Sequence, residues 1–235
     1  MKLLSFVKMQ AQGNDFIILD GLLSPLPRLS HQHIIAMCHR HTGIGCDQML
    51  VLSKHESATA QVTIYNADGS TAANCGNGLR CVGDYLMNKL ALSQVSLALQ
   101  DRWVKAKRVG DAIEVDMGKA IVEVDTQDYV DIHIGNPHRV FFADYIANPD
   151  KNVEIISEHR KEQAVIRIFE RGVGETLACG SGACATAAAI WSRAKLVAPL
   201  TIHMPGGSVE VSGTMDHILL RGSVAIVFSG EYLLS

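Results

Sequence analysis

A glycine-rich phrase built around a cysteine occurs twice in this chain, and the repetition limits the folds open to it. The first copy is Asn74-Cys75-Gly76-Asn77-Gly78 and the second is Ala178-Cys179-Gly180-Ser181-Gly182. From Cys75 to Cys179 the offset is 104 residues. A run with helical spacing follows each: Leu79, Val82, Gly83, Leu86 and Leu90, then Ala183, Ala187, Ile190, Trp191 and Ala194. Each thiol is therefore expected at a helix N-terminus, where free N–H groups and the helix dipole favour a thiolate and bind anions.

The repeat reaches beyond the cysteines. At the same offset, Gly118, ending Val115-Asp116-Met117-Gly118, maps onto Gly222, ending Leu219-Leu220-Arg221-Gly222. Between them, Val104 to Asp116 and Val209 to Leu220 both read as strand, turn, strand, with Gly110-Asp111 and Gly213-Thr214 at the turns. A looser match sets Gly13-Asn14-Asp15-Phe16 before Ile17-Ile18-Leu19 and Gly135-Asn136-Pro137-His138 before Val140-Phe141-Phe142. Two copies are too few for a solenoid, which needs at least three. The expectation is an α+β chain of two pseudo-symmetric lobes, each with a central helix wrapped by strands. The first lobe takes residues 1–117 and 224–235 and carries Cys75, with Val224 to Phe228 returning to it; the second takes 118–223 and carries Cys179.

Nearly half of the 235 residues are apolar, ample for such a core, and the net charge is −3. No basic block exceeds Lys105-Ala106-Lys107-Arg108, which reads as a solvated strand face. A nucleic-acid or membrane partner is not expected. Lys8 interrupts the first apolar run too early for a signal peptide, and no segment approaches the roughly 20 apolar residues of a membrane span. A cytoplasmic protein with six reduced cysteines is the expectation. No Cys-x-x-Cys pair occurs, so no structural metal is expected.

Polar, glycine-bearing segments recur: Gln12 to Asp15, Gly43 to Gln48, Asn66 to Ser70, Gly135 to His138, and Glu170 to Thr176. Asn supplies both donors and acceptors, and the planar fork of Arg171 suits a carboxylate. Several Asn residues, one Arg and two helix starts suit a substrate with ammonium and carboxylate groups. Each feature alone has a plainer reading. Gly-Asn pairs are usually turns, Glu170-Arg171 can be a surface pair, and Cys38, Cys46, Cys81 and Cys184 read as small buried hydrophobes.

Taken together, the motifs resemble the diaminopimelate epimerase family. The resemblance is carried by Gly13-Asn14-Asp15-Phe16, by Asn66 to Ser70 leading to Cys75-Gly76-Asn77-Gly78-Leu79-Arg80-Cys81, by Gly135 to His138, by Glu170 through Cys184, and by Met204-Pro205-Gly206-Gly207. It implies strongly curved, mostly antiparallel sheets in the two lobes. It also implies epimerisation of LL-2,6-diaminoheptanedioate to the meso form, with no pyridoxal or other cofactor, in lysine and peptidoglycan biosynthesis. By this similarity Cys75 matches the proton donor and Cys179 the acceptor for the LL substrate, with His138 and Glu170 as supporting polar groups. Asn14, Gln48, Asn66, Asn136, Asn152, Glu170 and Arg171 match substrate-contacting positions. Gly76, Asn77, Gly180 and Ser181 match the helix starts that hold the reacting carboxylate. The resemblance makes a homodimer one candidate assembly. Departures from the family pattern are the shortened stretches Gly118 to Gly135 and Arg139 to Lys151, Asn74 in place of a usual Met, Ala11 in place of Gly, and Cys46 in place of Ala. Alternatives to be separated are a racemase for another amino acid such as histidine, a thiol redox protein using Cys75 and Cys179, and a silent binding module.

Overall fold

The computed structural model describes residues 2–142 and 150–234; part of the shortened stretch Arg139 to Lys151 lies outside them. The chain divides into two compact units, residues 1–113 with 224–235, and residues 114–223.

In the first unit, β1 (Lys2–Ala11) and β2 (Asn14–Asp20) form an antiparallel hairpin. Its two-residue turn, Gln12-Gly13, has φ of 50° and 82°, positive at both central positions as a type I′ turn requires. After α1 (His31–Cys38), β3 (Gln48–Ser53) returns parallel to β2. β4 (Ala60–Asn66) is antiparallel to β3, and β5 (Thr71–Ala72) pairs β4. Then comes α2 (Gly76–Leu90), after which β6 (Gln94–Ala98) lies parallel to β4 and β7 (Trp103–Val109) antiparallel to β6.

The second unit repeats this order. β8 (Ala112–Gly118) leads into it, and β9 (Ile121–Asp125) pairs β10 (Tyr129–His133). β10 and β11 (Pro137–Phe141) are antiparallel, and β12 (Asn152–Arg160) is parallel to β11. β13 (Gln163–Glu170) is antiparallel to β12, with β14 (Gly174–Thr176) beside it. α3 (Gly180–Ala194) follows, then β15 (Leu200–Met204) parallel to β13. β16 (Gly207–Gly213) and β17 (Ile218–Gly222) complete the unit as an antiparallel pair. Finally β18 (Ala225–Leu234) pairs antiparallel with β1 in the first unit, from Lys2 opposite Leu234 onward. Strand for strand, β1 to β7 match β10 to β16, with α2 matching α3.

Each helix is the axis of its unit. α2 packs against β1, β2, β3, β6 and β7, and α3 against β9 to β12 and β15 to β17. Such helices cannot be amphipathic in the ordinary way. α3 meets the demand with Ala183, Ala185, Ala187, Ala188 and Ala189, all fully buried, so the strands approach its backbone. In α2, Gly83 does the same: a Cβ there would sit 2.6 Å from Ala106 Cβ. The equivalence extends to the helix ends. Ala91 and Lys195 are both left-handed C-caps (φ 54° and 51°), and Leu92 and Leu196 each donate back to the carbonyl five residues earlier. No helix among the described residues is long and apolar enough to cross a membrane.

Candidate active site

At the start of α2, Cys75 is the N-cap. Its backbone is extended (φ −155°, ψ 101°), and its Sγ accepts the Gly78 N–H at 3.3 Å. A thiol thus occupies the place normally held by Ser or Asp. Asn77, buried in the first turn, donates from Nδ2 to Asn14 Oδ1 (3.2 Å), and the same oxygen lies 4.0 Å from Cys75 Sγ. The orientation of the Asn77 amide is fixed from behind. The fully buried Arg80 donates to Asn77 Oδ1 (2.6 Å) and to Gln12 Oε1 (2.8 Å). Gln12 reaches Arg80 from a left-handed backbone that a side chain rarely adopts, a strain of the kind found at functional sites.

Asn14 Nδ2 donates to Asp47 Oδ2 at 2.7 Å, which links Asn14 to the residue preceding Gln48. Gln48 opens β3 opposite Asn66, which ends β4, and Gln48 Nε2 donates to Asn66 Oδ1 at 2.9 Å. Asn14 and Asn77 therefore meet beside Cys75, and Asn14 is joined through Asp47 to the strand start that carries Gln48, itself bonded to Asn66. Asn74 accepts from Arg102 through Oδ1 (2.9 Å), so the polar residue in this unusual place is tied to a guanidinium.

At the start of α3, Cys179 caps in the same way (φ −132°, ψ 114°), its Sγ accepting the Gly182 N–H at 3.4 Å and lying 3.4 Å from Ser181 Oγ. Here an acid–base pair stands behind the thiol. His138 and Glu154 are wholly buried, with His138 Nδ1 2.8 Å from Glu154 Oε1, and His138 Nε2 3.0 Å from Asn136 Oδ1. Gly182 makes room for them, since a Cβ there would sit 2.3 Å from Glu154 Oε1. A His nitrogen, a Glu154 oxygen and Cys179 Sγ all lie within 4.8 Å of one another, a donor set of a kind that can also hold a metal ion. Glu154 Oε2 is buried with no hydrogen-bond partner among the described residues. Asn152, opposite His138 in the parallel register, accepts the Arg171 N–H at 2.9 Å and so fixes the turn after Glu170. The Arg171 side chain itself is exposed.

Glu154 is the site residue that sequence reasoning missed. The signal available was a lone carboxylate within Val153-Glu154-Ile155-Ile156, on the same strand face as Asn152. The expectation that a helix start lowers its thiol fails at Cys179. Burial pushes this thiol well up, the charges of Glu170 and Glu154 push further, and the hydrogen bonds from Ser181 and Gly182 do not offset them. One N–H contact is a small return for removing a sulfur anion from water. Cys179 therefore holds its proton at neutral pH.

Two units of matching strand order, each built on a cysteine-capped helix, define the duplicated α+β fold of the racemase, epimerase and PhzF type. Solved structures with this fold include a PhzF-family phenazine biosynthesis protein of Bacillus anthracis (TM-score 0.76, 14% identity, all of both chains covered). Another is a hydroxyproline epimerase of Agrobacterium vitis with bound trans-4-hydroxy-L-proline (TM-score 0.74, 12% identity, 97% of this chain and 92% of that one). Within that fold, the chain belongs to the diaminopimelate epimerase family, whose model it matches over residues 6–123 and 138–227. Among its relatives are the diaminopimelate epimerases of Pseudomonas syringae pv. syringae (33% identity, 97% of this chain and 99% of the relative) and Acidiphilium cryptum (31%, 96% and 95%).

Proposed function

We propose that the protein epimerises LL-2,6-diaminoheptanedioate to the meso form with two cysteines and no pyridoxal cofactor. The observation that carries this reading is the repeated thiol cap, Cys75 on α2 and Cys179 on α3, in a chain of this family. An amino-acid α-proton is very weakly acidic, so the carbanion has to be stabilised as it forms. The first-turn N–H groups of α2 and α3 that the thiol caps leave over are donors that need no reorganisation to hold the reacting carboxylate. Asn14, Gln48, Asn66, Asn136 and Asn152, with Arg171, supply groups suited to the ammonium and to the far carboxylate.

One thiolate takes the proton from one face of the carbon while the other thiol returns one to the opposite face. Protonated, Cys179 is ready to donate. For the LL substrate, where it matches the accepting role, it has to lose that proton first. A bound ammonium group near Glu154 and Glu170 would offset the charges that hold the proton on sulfur.

The test is proton exchange in D2O with reduced protein, LL substrate and no pyridoxal phosphate, followed by NMR of the α-hydrogen. One α-position should exchange while meso product appears. Cys75→Ala and Cys179→Ala should each slow turnover by at least about 10²–10⁴-fold, the range of a lost acid–base group. Exchange confined to a different amino acid would replace the substrate, and no exchange with any amino acid would defeat the epimerase reading.

A further inference from the structure

α1 ends at Cys38, and the chain comes back beside it through Cys46. The return is held by backbone bonds: Gly43 N–H to His39 O (2.9 Å), Ile44 N–H to Met37 O (2.9 Å) and Cys46 N–H to Cys38 O (3.1 Å). These bring the two sulfurs to 3.4 Å, with Cys46 Sγ donating to Cys38 Sγ. Both thiols are 2% exposed, and the proposed epimerisation uses neither.

We propose that Cys38 and Cys46 are a reversible redox site, which hydrogen peroxide or a similarly small peroxide converts to an intramolecular disulfide. The sulfurs already touch, and closing to the ~2.05 Å of a disulfide asks for small side-chain rotations. A backbone hydrogen bond, Cys46 N–H to Cys38 O at 3.1 Å, also joins the two residues, so the closure asks for no large backbone movement.

The surroundings assign an order of attack. The hydrogen bond from Cys46 draws the Cys38 thiol below its ordinary range; burial opposes this, the Lys8 charge assists it, and the Asp15 charge opposes it. Lys8 is held there by Gly45 O and by Asp15, whose carboxylate lies 2.7 Å from its Nζ. Because Cys46 Sγ donates to Cys38 Sγ at 3.4 Å, we take Cys38 as the nucleophile and Cys46 as the resolving thiol. In the first step Cys38 sulfur takes one peroxide oxygen; the O–O bond breaks, and the departing hydroxide gains a proton as water. In the second, Cys46 sulfur attacks Cys38 sulfur; the S–S bond forms, the S–O bond breaks, and the oxygen leaves as a second water. Two thiols and one peroxide give one disulfide and two waters. A dithiol returns the two thiols by exchange and is itself oxidised to a disulfide.

The bond would fasten the end of α1 to the residue next to Asp47, which orients Asn14. Any effect on turnover rests on the proposed function; the disulfide itself does not.

Peptide mapping tests the site without reference to activity. Trypsin cleaves after Arg28, Arg40 and Lys54, so Cys38 falls on peptide 29–40 and Cys46 on peptide 41–54, neither with another cysteine. The full chain is treated with a slight excess of hydrogen peroxide at pH 7, then denatured, alkylated and digested. The expected product is these two peptides joined, and separating on addition of dithiothreitol. Recovery of both as alkylated thiols, as sulfinic acids, or joined to other cysteines would overturn the proposal. In Cys46→Ser, the joined pair should vanish and dimedone should label Cys38; absence of that label would overturn the assignment of Cys38 as the nucleophile.

Discussion

Leu50 and Glu154 occupy equivalent places in the two units. Ile18 lies opposite Leu50 in the β2–β3 register, and Val140 lies opposite Glu154 in the matching β11–β12 register. By the same match Phe16 is the counterpart of His138. A Cβ on Gly78 would meet Phe16 and Leu50 at 3.2 Å, whereas one on Gly182 would meet Glu154. So one thiol cap is backed by two apolar side chains and the other by an acid–base pair. The two sulfurs are equivalent in fold and unequal in chemistry. Replacing Glu154 by Gln removes a negative charge that helps hold the Cys179 proton. The pH profile of Cys179 alkylation, read by mass spectrometry, should move to lower pH in Glu154→Gln; a profile unmoved or moved upward would show that the carboxylate has no such influence. The Asn136 and His138 positions are legible because they share one motif. Glu154 is not, because only strand pairing, sixteen residues along, brings it to His138.

At the scale of elements, α2 and α3 are legible because a repeated phrase marks each start and helical spacing marks each body. α1 escapes that reading. Its N-cap is Ser30, but the residue that closes the capping box is His33, through Nδ1, rather than the usual Glu or Gln. α1 delivers Arg40 to the first unit, and Arg40 binds Asp15 and Asp47 together (2.8 and 2.7 Å). Burial alone would raise the Asp15 carboxyl, but hydrogen bonds and charge from Arg40 and Lys8 prevail and hold it at about 2, below its ordinary 3.8. A depressed folded-state value means the stabilisation is complete above 3.8 and fades as pH falls from there toward 2. By the usual conversion it amounts to about 2 kcal/mol. In urea unfolding at pH 7, Asp15→Asn should be less stable than the natural chain by about that much. The gap should narrow progressively below pH 4. A gap that persists unchanged at pH 2 would assign the loss to packing instead of charge.

At the scale of the whole molecule, the fold follows from the duplication read in the sequence, down to the left-handed C-caps at Ala91 and Lys195. The second unit is one continuous stretch, while the first is assembled from two, with β18 completing it against β1. Closing a contact across more than 200 residues is slow compared with pairing neighbours. In pulsed hydrogen exchange during refolding, amides of α3 and β10 to β13 should gain protection before the amides joining β1 to β18. Simultaneous protection would mean that the units fold as one. On the ribosome the asymmetry is stricter. The unit synthesised first has to wait, with the outer edge of β1 unpaired, until the whole of its neighbour has emerged. For that interval each nascent chain offers other nascent chains a ten-residue strand edge to pair with, a hazard a holdase chaperone can suppress.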